Sequence, residues 1–173
     1  SSPTDLQPVM EAVVENAARV CGATNSGIWL LEGDCLRAVA RHGPLRPPMS
    51  IGDRVPFSRD TVNGRAVSDL GTIHVDDILT AQAEFPATVS RINRAGSDVR
   101  TILATPLLRE GTPLGVITTA RGPEPHPFSA KQIALLETFA NQAVIAIENV
   151  RLFEELEAKY LELTETIEQQ TAT

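Results

Sequence analysis

Cysteine and lysine are scarce in this chain, and long apolar runs are missing. Of its 173 residues only two are cysteines, Cys21 and Cys35, and their spacing fits no metal-ligand set. No cysteine falls between Met49 and Val99, and no lysine occurs in the first 130 residues. With 15 Lys+Arg against 22 Asp+Glu the formal net charge is −7, and no basic stripe offsets it, which argues against nucleic-acid binding. No apolar run is long enough to span a bilayer, and no signal-peptide pattern is visible. There is no Gly-rich phosphate loop, no nucleophile–base spacing and no paired carboxylate set; the loop GPLRPPM at residues 43–49 is not a phosphate cradle. These absences point away from a metal site and from catalysis, and toward a cytoplasmic setting. The first residue is Ser rather than Met, so a fragment or a processed chain is expected.

What is present is a chain with 42% hydrophobic residues, enough for one domain with a sizeable core and an extension. The extension is the most informative part. From Phe128 to the end no Gly or Pro occurs, and Ser129 with Gln132 has capping-box spacing. In the first half of this predicted helix, Leu136, Ala140, Ala143, Val144 and Ile147 form one apolar stripe, and Phe139, Ala146 and Val150 another. In the second half only a narrow seam remains, Phe153, Leu156, Tyr160, Leu163 and Ile167, at alternating steps of three and four. That is coiled-coil spacing, with Asn149 as a polar residue on the seam. The expected division is a sensory domain over residues 1–150 and a coiled-coil linker over residues 151–173.

The rest reads as α+β. Residues 2–21 form an amphipathic helix with Asp5 at its cap, Pro8 in its first turn and a stripe of Leu6, Val9, Met10, Val13, Ala17 and Val20. Residues 27–32 and 35–42 form a hairpin across Gly33-Asp34. Short helices are predicted over 58–70 and 84–95, with a strand over 72–75 between them. A second hairpin covers 100–109 and 113–121. Strand and helix do not alternate regularly, so an antiparallel sheet with helices on one face is expected rather than a doubly wound sheet.

Among residues with chemistry, His74 stands in TIHVDD without a second ligand at fixed spacing. It reads as a hydrogen-bonded strand histidine rather than a metal or haem ligand. Cys21 lies at a helix C-terminus, the wrong end to activate a thiol, and both cysteines read as structural. Trp29, Phe57 and Phe85 line a pocket or belong to the core. Arg91, Arg94 and Arg100 face an anionic ligand or solvent.

Four segments in order resemble the GAF domain, a small-molecule sensory module of bacterial signalling proteins. They are MEAVVENAARVCGATNSGIWLL from Met10, VPFSRDTVNGRAVSDLGTIHVDDI from Val55, RTILATPLLREGTPLGVITTAR from Arg100, and FSAKQIALLETFANQAVIAIENVRLFEEL from Phe128. The chain is also similar to GAF units of multi-domain histidine kinases and nucleotide cyclases of alpha-proteobacteria. The resemblance implies a GAF/PAS-like six-stranded antiparallel sheet, with terminal helices on one face and a pocket on the other under residues 49–99. It implies pocket residues Trp29, Phe57, His74, Ile78 and Phe85, with Arg91, Arg100, Leu103 and Thr105. It further implies a homodimer joined through the terminal helices, Phe139 and Ala146 included, an unidentified small-molecule ligand, and a kinase or cyclase output domain in the same chain. No cofactor is assigned. Redox relatives of the methionine sulfoxide reductase type use cysteines around the pocket, which this chain lacks. Bilin-binding relatives use a pocket cysteine, also lacking, and the Asn-Lys pattern of cyclic-nucleotide binders is not found.

Overall fold

Alternation of side chains along two hairpins sets the architecture. The computed structural model describes residues 5–46 and 50–172. Strands β1 (Asn25–Glu32) and β2 (Cys35–His42) form the first hairpin, and β5 (Thr101–Arg109) and β6 (Thr112–Arg121) the second. β1 pairs with β6, joining the two. The short strands β3 (Arg54–Pro56) and β4 (Ile73–Val75) close the edges, giving a six-stranded antiparallel sheet in the order β3-β2-β1-β6-β5-β4.

Successive side chains point to opposite faces, so the sheet builds two cores. Ile28, Leu103, Leu107 and Ile117 face one way, into a core closed by α1 (Gln7–Val20) and the first part of α4 (Ala130–Ala172). Ile102, Ala104, Val116 and Ala120 face the other way, into a core closed by α2 (Val62–Asp69), α3 (Pro86–Ala95) and a 3-10 turn at Ile78–Thr80. Helices therefore cover both faces, the terminal pair on one and the short pair on the other.

The predicted elements appear with shifted ends. In α1 the buried residues are Met10, Val13, Val14, Ala17 and Ala18, while Val9 and Val20 are exposed, because the buried stripe is centred one step round from the predicted one. Leu6 holds the cap position of α1 instead of Asp5, whose Oδ1 accepts the Gln7 N–H at 3.3 Å from one residue further out. Part of that predicted helix, residues 2–4, and residues 47–49 of the GPLRPPM loop lie outside the described residues. The 3-residue strand β3 was not singled out along the chain; it is too short to show a period. Helix α2 begins only at Val62, capped by the Thr61 hydroxyl, which accepts the Gly64 N–H at 2.9 Å. Gly64 is needed there, since a Cβ would lie 1.8 Å from the Ser58 carbonyl oxygen.

Helix α4 is 43 residues long, ~65 Å at 1.5 Å per residue. It starts at a reciprocal capping box. The Gln132 N–H donates to Ser129 Oγ at 3.2 Å, and the Ser129 N–H donates to Gln132 Oε1 at 2.9 Å. Leu136, Ala140 and Ala143 are buried against the domain; Phe139, Val144, Ala146 and Ile147 are half-buried beside them. Glu148 makes the last anchor, accepting from Arg109 of β5 at 3.2 Å. From Arg151 on, every described residue except Thr164 is exposed.

Candidate functional site

The face of the sheet under α2 and α3 carries a half-open cavity of about 100 Å³. Small side chains make the room: Gly27 on β1, Ala38 on β2 and Ala120 on β6 stand where larger residues would fill it. Gly27 has a second role. The far edge of the Trp29 indole lies along β1 so closely that a Cβ at Gly27 would come within 2.8 Å of it. A bulge between Ile28 and Trp29 shifts the register against β2. The carbonyl of Val39 in that bulge is held by Gln7 Nε2 of α1 at 2.7 Å. Ile92, Val99 and Ile102 supply apolar walls. Arg41, opposite Gly27 on β2, and Ile51 are exposed lining residues and mark the mouth.

The polar groups of the wall divide into used and unused. Thr61 caps α2, Thr88 Oγ1 accepts the Val62 N–H at 3.1 Å, and Asn25 bonds both main-chain groups of Leu45. Thr118 donates to Asn63 Oδ1 at 2.7 Å, which leaves the Asn63 amide NH₂ facing the space. Trp29 Nε1 and the Ser26 hydroxyl are buried without a hydrogen-bond partner among the described residues. Arg91, half-buried on α3, makes no ion pair among the described residues; burial first and the neighbouring Arg94 second push its guanidinium below the ordinary value, against a weaker pull from Asp60.

Of the residues expected at the pocket, the cavity brings together Trp29 and Arg91. The other seven sit elsewhere. Leu103 and Thr105 point to the opposite face, because β5 turns its odd-numbered residues toward α1 and α4; Leu103 lies in that core, and Thr105 Oγ1 pairs with Thr72 at 3.0 Å. Ile78 is fully buried in the nearer core, where it does not reach the cavity wall. Phe57, 36% exposed, follows β3 outside it. His74 and Phe85 border a separate open hollow of about 390 Å³. His74 Nε2 accepts the Phe128 N–H at 3.1 Å, as expected for a hydrogen-bonded strand histidine, and Arg65 stacks 4.3 Å above the Phe85 ring. Arg100 forms a two-bond pair with Asp77, at 2.9 and 2.6 Å. Arg41, Asn63 and the small residues were missed. The alternation of β1 and β2 was the signal for Arg41: once Gly27 and Trp29 face the pocket, so does the partner of Gly27.

The profile of the GAF domain family matches residues 5–147. The chain belongs to the GAF domain family. Among solved structures, the GAF-B domain of DevS from Mycobacterium smegmatis superposes with a TM-score of 0.65 at 21% identity, covering 90% of this chain and 99% of that one. The blue-light absorbing form of the PixJ GAF domain from Thermosynechococcus elongatus gives 0.72 at 14% identity over 90% and 92%. The free methionine-R-sulfoxide reductase from Neisseria meningitidis, in complex with its substrate, gives 0.68 at 23% over 86% and 81%. At these identities the likeness is one of fold. No curated protein sequence matches significantly.

In this GAF domain the cysteines are far apart. Cys21 closes α1 just before β1, and Cys35 pairs with Glu32 at the opposite end of β1. The whole of β1, eight residues or roughly 23 Å long, lies between them, which is beyond disulfide reach. Burial raises the Cys21 thiol, partly countered by Arg121. A hydrogen bond to Asp34 raises Cys35. Both shifts work against a reactive thiolate at neutral pH. No helix among the described residues is long and apolar enough to cross a membrane, and no cluster of metal-binding side chains occurs among them.

Proposed function

We propose that this GAF domain is a non-catalytic, small-molecule-sensing unit of a cytoplasmic bacterial signalling protein. It binds its ligand in the cavity beside Trp29 and Arg91. It pairs with a second copy through α1 and α4, and it relays the ligand state along α4 to an output domain in the same chain. A histidine kinase is the output we favour, with a nucleotide cyclase as the alternative. Residues 1–150 act as the sensor and residues 151–173 as the coiled-coil linker.

One observation carries this reading. The final part of α4 leaves its own domain with Phe153, Leu156, Tyr160, Leu163 and Ile167 exposed, between 41% and 69%. Apolar surface in water costs ~25 cal/mol per Å², and a seam at this spacing is covered by an identical seam. Val9 of α1 and Ile145 of α4 are further exposed apolar residues on the terminal helices. The stretch is well built as a rod, with Arg151 pairing Glu148 and Glu155 at i,i−3 and i,i+4, so a change of register or rotation costs less than melting.

The redox alternative rests on the likeness to a methionine-R-sulfoxide reductase, and the cysteine arrangement does not support it. A ligand-free dimerisation spacer is the other rival, and the unpaired groups in the cavity wall speak against it.

Insertions in the full signalling protein test the relay. One residue added after Leu156 turns the downstream seam by ~100° and is expected to derange output while leaving ligand affinity nearly unchanged. A seven-residue insertion is expected to preserve output. Equal effects of the two would make α4 a passive tether and overturn the reading.

A further inference from the structure

Resting on the sensory reading above, we propose that the cavity ligand is a small carboxylate: an organic acid with a short apolar body, bound through the Arg91 guanidinium with Trp29 Nε1 and the Asn63 amide as further donors.

The first support is charge. Among the described lining residues Arg41 and Arg91 are the ionisable groups, with no Asp, Glu, Lys or His in the lining; Asp60 acts on Arg91 only from outside it, as a weaker pull. The chain as a whole carries 22 Asp+Glu and a net charge of −7, so the site has the opposite sign to its protein. Two other arginines that are not fully exposed, Arg100 and Arg121, are compensated. Arg100 is paired with Asp77, and Arg121 donates to four main-chain carbonyls. Among the described residues Arg91 has neither kind of partner at bonding distance, only the weaker pull of Asp60. A desolvated, unpaired cation is unfavourable in a finished core. It is the arrangement of a site whose counter-charge arrives with the ligand.

The second support is the direction of the hydrogen bonds. The unused groups can all donate, and of them only the Ser26 hydroxyl can also accept. Trp29 Nε1–H cannot accept, a guanidinium cannot accept, and Asn63 has its carbonyl taken by Thr118. A ligand that only accepts satisfies all of them, and an ionised carboxylate is such a group. Water would satisfy Trp29 but leave the charge of Arg91 uncompensated.

The third support is size and lining. A 150 Å³ apolar cavity accommodates the six carbons of benzene, so about 100 Å³ with an open mouth suits roughly four to six non-hydrogen atoms. Val62, Ile92, Val99 and Ile102 give those atoms apolar neighbours, which a short alkyl body uses and a bare inorganic anion does not. Arg41 at the mouth draws an anion toward the opening.

Trp29 is the only tryptophan of the chain, so its emission reports occupancy directly. The purified protein is titrated with three isosteres, isobutyrate, isobutyramide and isobutylamine, and with inorganic phosphate, following Trp29 fluorescence and thermal unfolding. Isobutyrate is expected to bind saturably, at least about tenfold more tightly than the amide, the order set by one charge-assisted hydrogen bond in a partly buried site. The amine and phosphate are expected to give no saturable response. Arg91→Gln is expected to erase the preference for acid over amide while unfolding cooperatively. Arg94→Gln, on the same helix outside the cavity, is expected to keep it. Binding of amide or amine as tight as the acid would overturn the carboxylate assignment and leave the sensory reading standing. So would a response to phosphate equal to that of isobutyrate, or loss of the preference in Arg94→Gln as complete as in Arg91→Gln. No response to any probe would overturn both.

Discussion

The Arg121 guanidinium lies 4.1 Å from the centre of the Phe128 ring, and this contact ties three parts of the chain together. Arg121 ends β6. Its nitrogens donate to the carbonyls of Cys21 and Gly22, where α1 stops, and of His126 and Pro127, where α4 is about to start. Only 5% of its surface is exposed, and burial pushes its guanidinium below the ordinary value, against a weaker opposing pull from Cys21. The planar fork and the stacking face both matter here, and an ammonium offers neither. Arg121→Lys is therefore expected to lower stability by about 2–4 kcal/mol in urea unfolding. A loss within about 0.5 kcal/mol, the usual surface value, would mean that the terminal helices are positioned by packing alone.

Asp77 should give the fold an acid-sensitive contact. Its carboxylate accepts two bonds from Arg100, and it also caps the 3-10 turn by accepting the Leu79 N–H at 3.1 Å. The Arg100 bonds, and then the Leu79 bond, hold its pKa below the ordinary Asp value, outweighing a partial desolvation that acts the other way. A depressed folded-state pKa gives stability that is present above the unfolded value, about 4, and lost as pH falls through the folded one. Asp77→Asn is expected to unfold at lower temperature than the parent at pH 7, with the gap shrinking as pH falls from about 5 to about 2. A gap independent of pH would assign Asp77 to shape rather than charge.

Gly27→Ala tests how the cavity is made. The added Cβ meets Trp29 at 2.8 Å and the Ala40 carbonyl at 3.3 Å, so the indole has to swing away from β1. The expected result is a changed Trp29 emission maximum, weaker ligand response and a loss of about 1–3 kcal/mol. Unchanged emission would show that the indole does not rest on Gly27 in solution.

How much of this was legible from sequence depended on the length of the pattern. The capping box at Ser129 and Gln132 and the long helix after it were readable, because local spacing and an uninterrupted period fix them. Both hairpins were readable from alternation and turn residues. Strand β3 has three residues and is held by pairing with β2 rather than by its own sequence. The site was harder. Leu103 and Thr105 were assigned to the pocket without fixing the parity of β5, and one residue of parity moves a side chain across the sheet. Arg41 and Asn63 became visible only when strand pairing and the Thr118 bond were known.

The central claim is that two copies run side by side along α4, and an inter-copy distance tests it most directly. A spin label is placed at Gln169→Cys in a Cys21→Ser, Cys35→Ser background, and pulsed dipolar spectroscopy reads the separation. Parallel, in-register helices put the two labelled backbones about 10 Å apart, the usual spacing of packed helices. An antiparallel pair centred on Tyr160 puts them at least ~27 Å apart. The account predicts one narrow distribution at the short distance. A long distance, or no dipolar coupling at all, would contradict it.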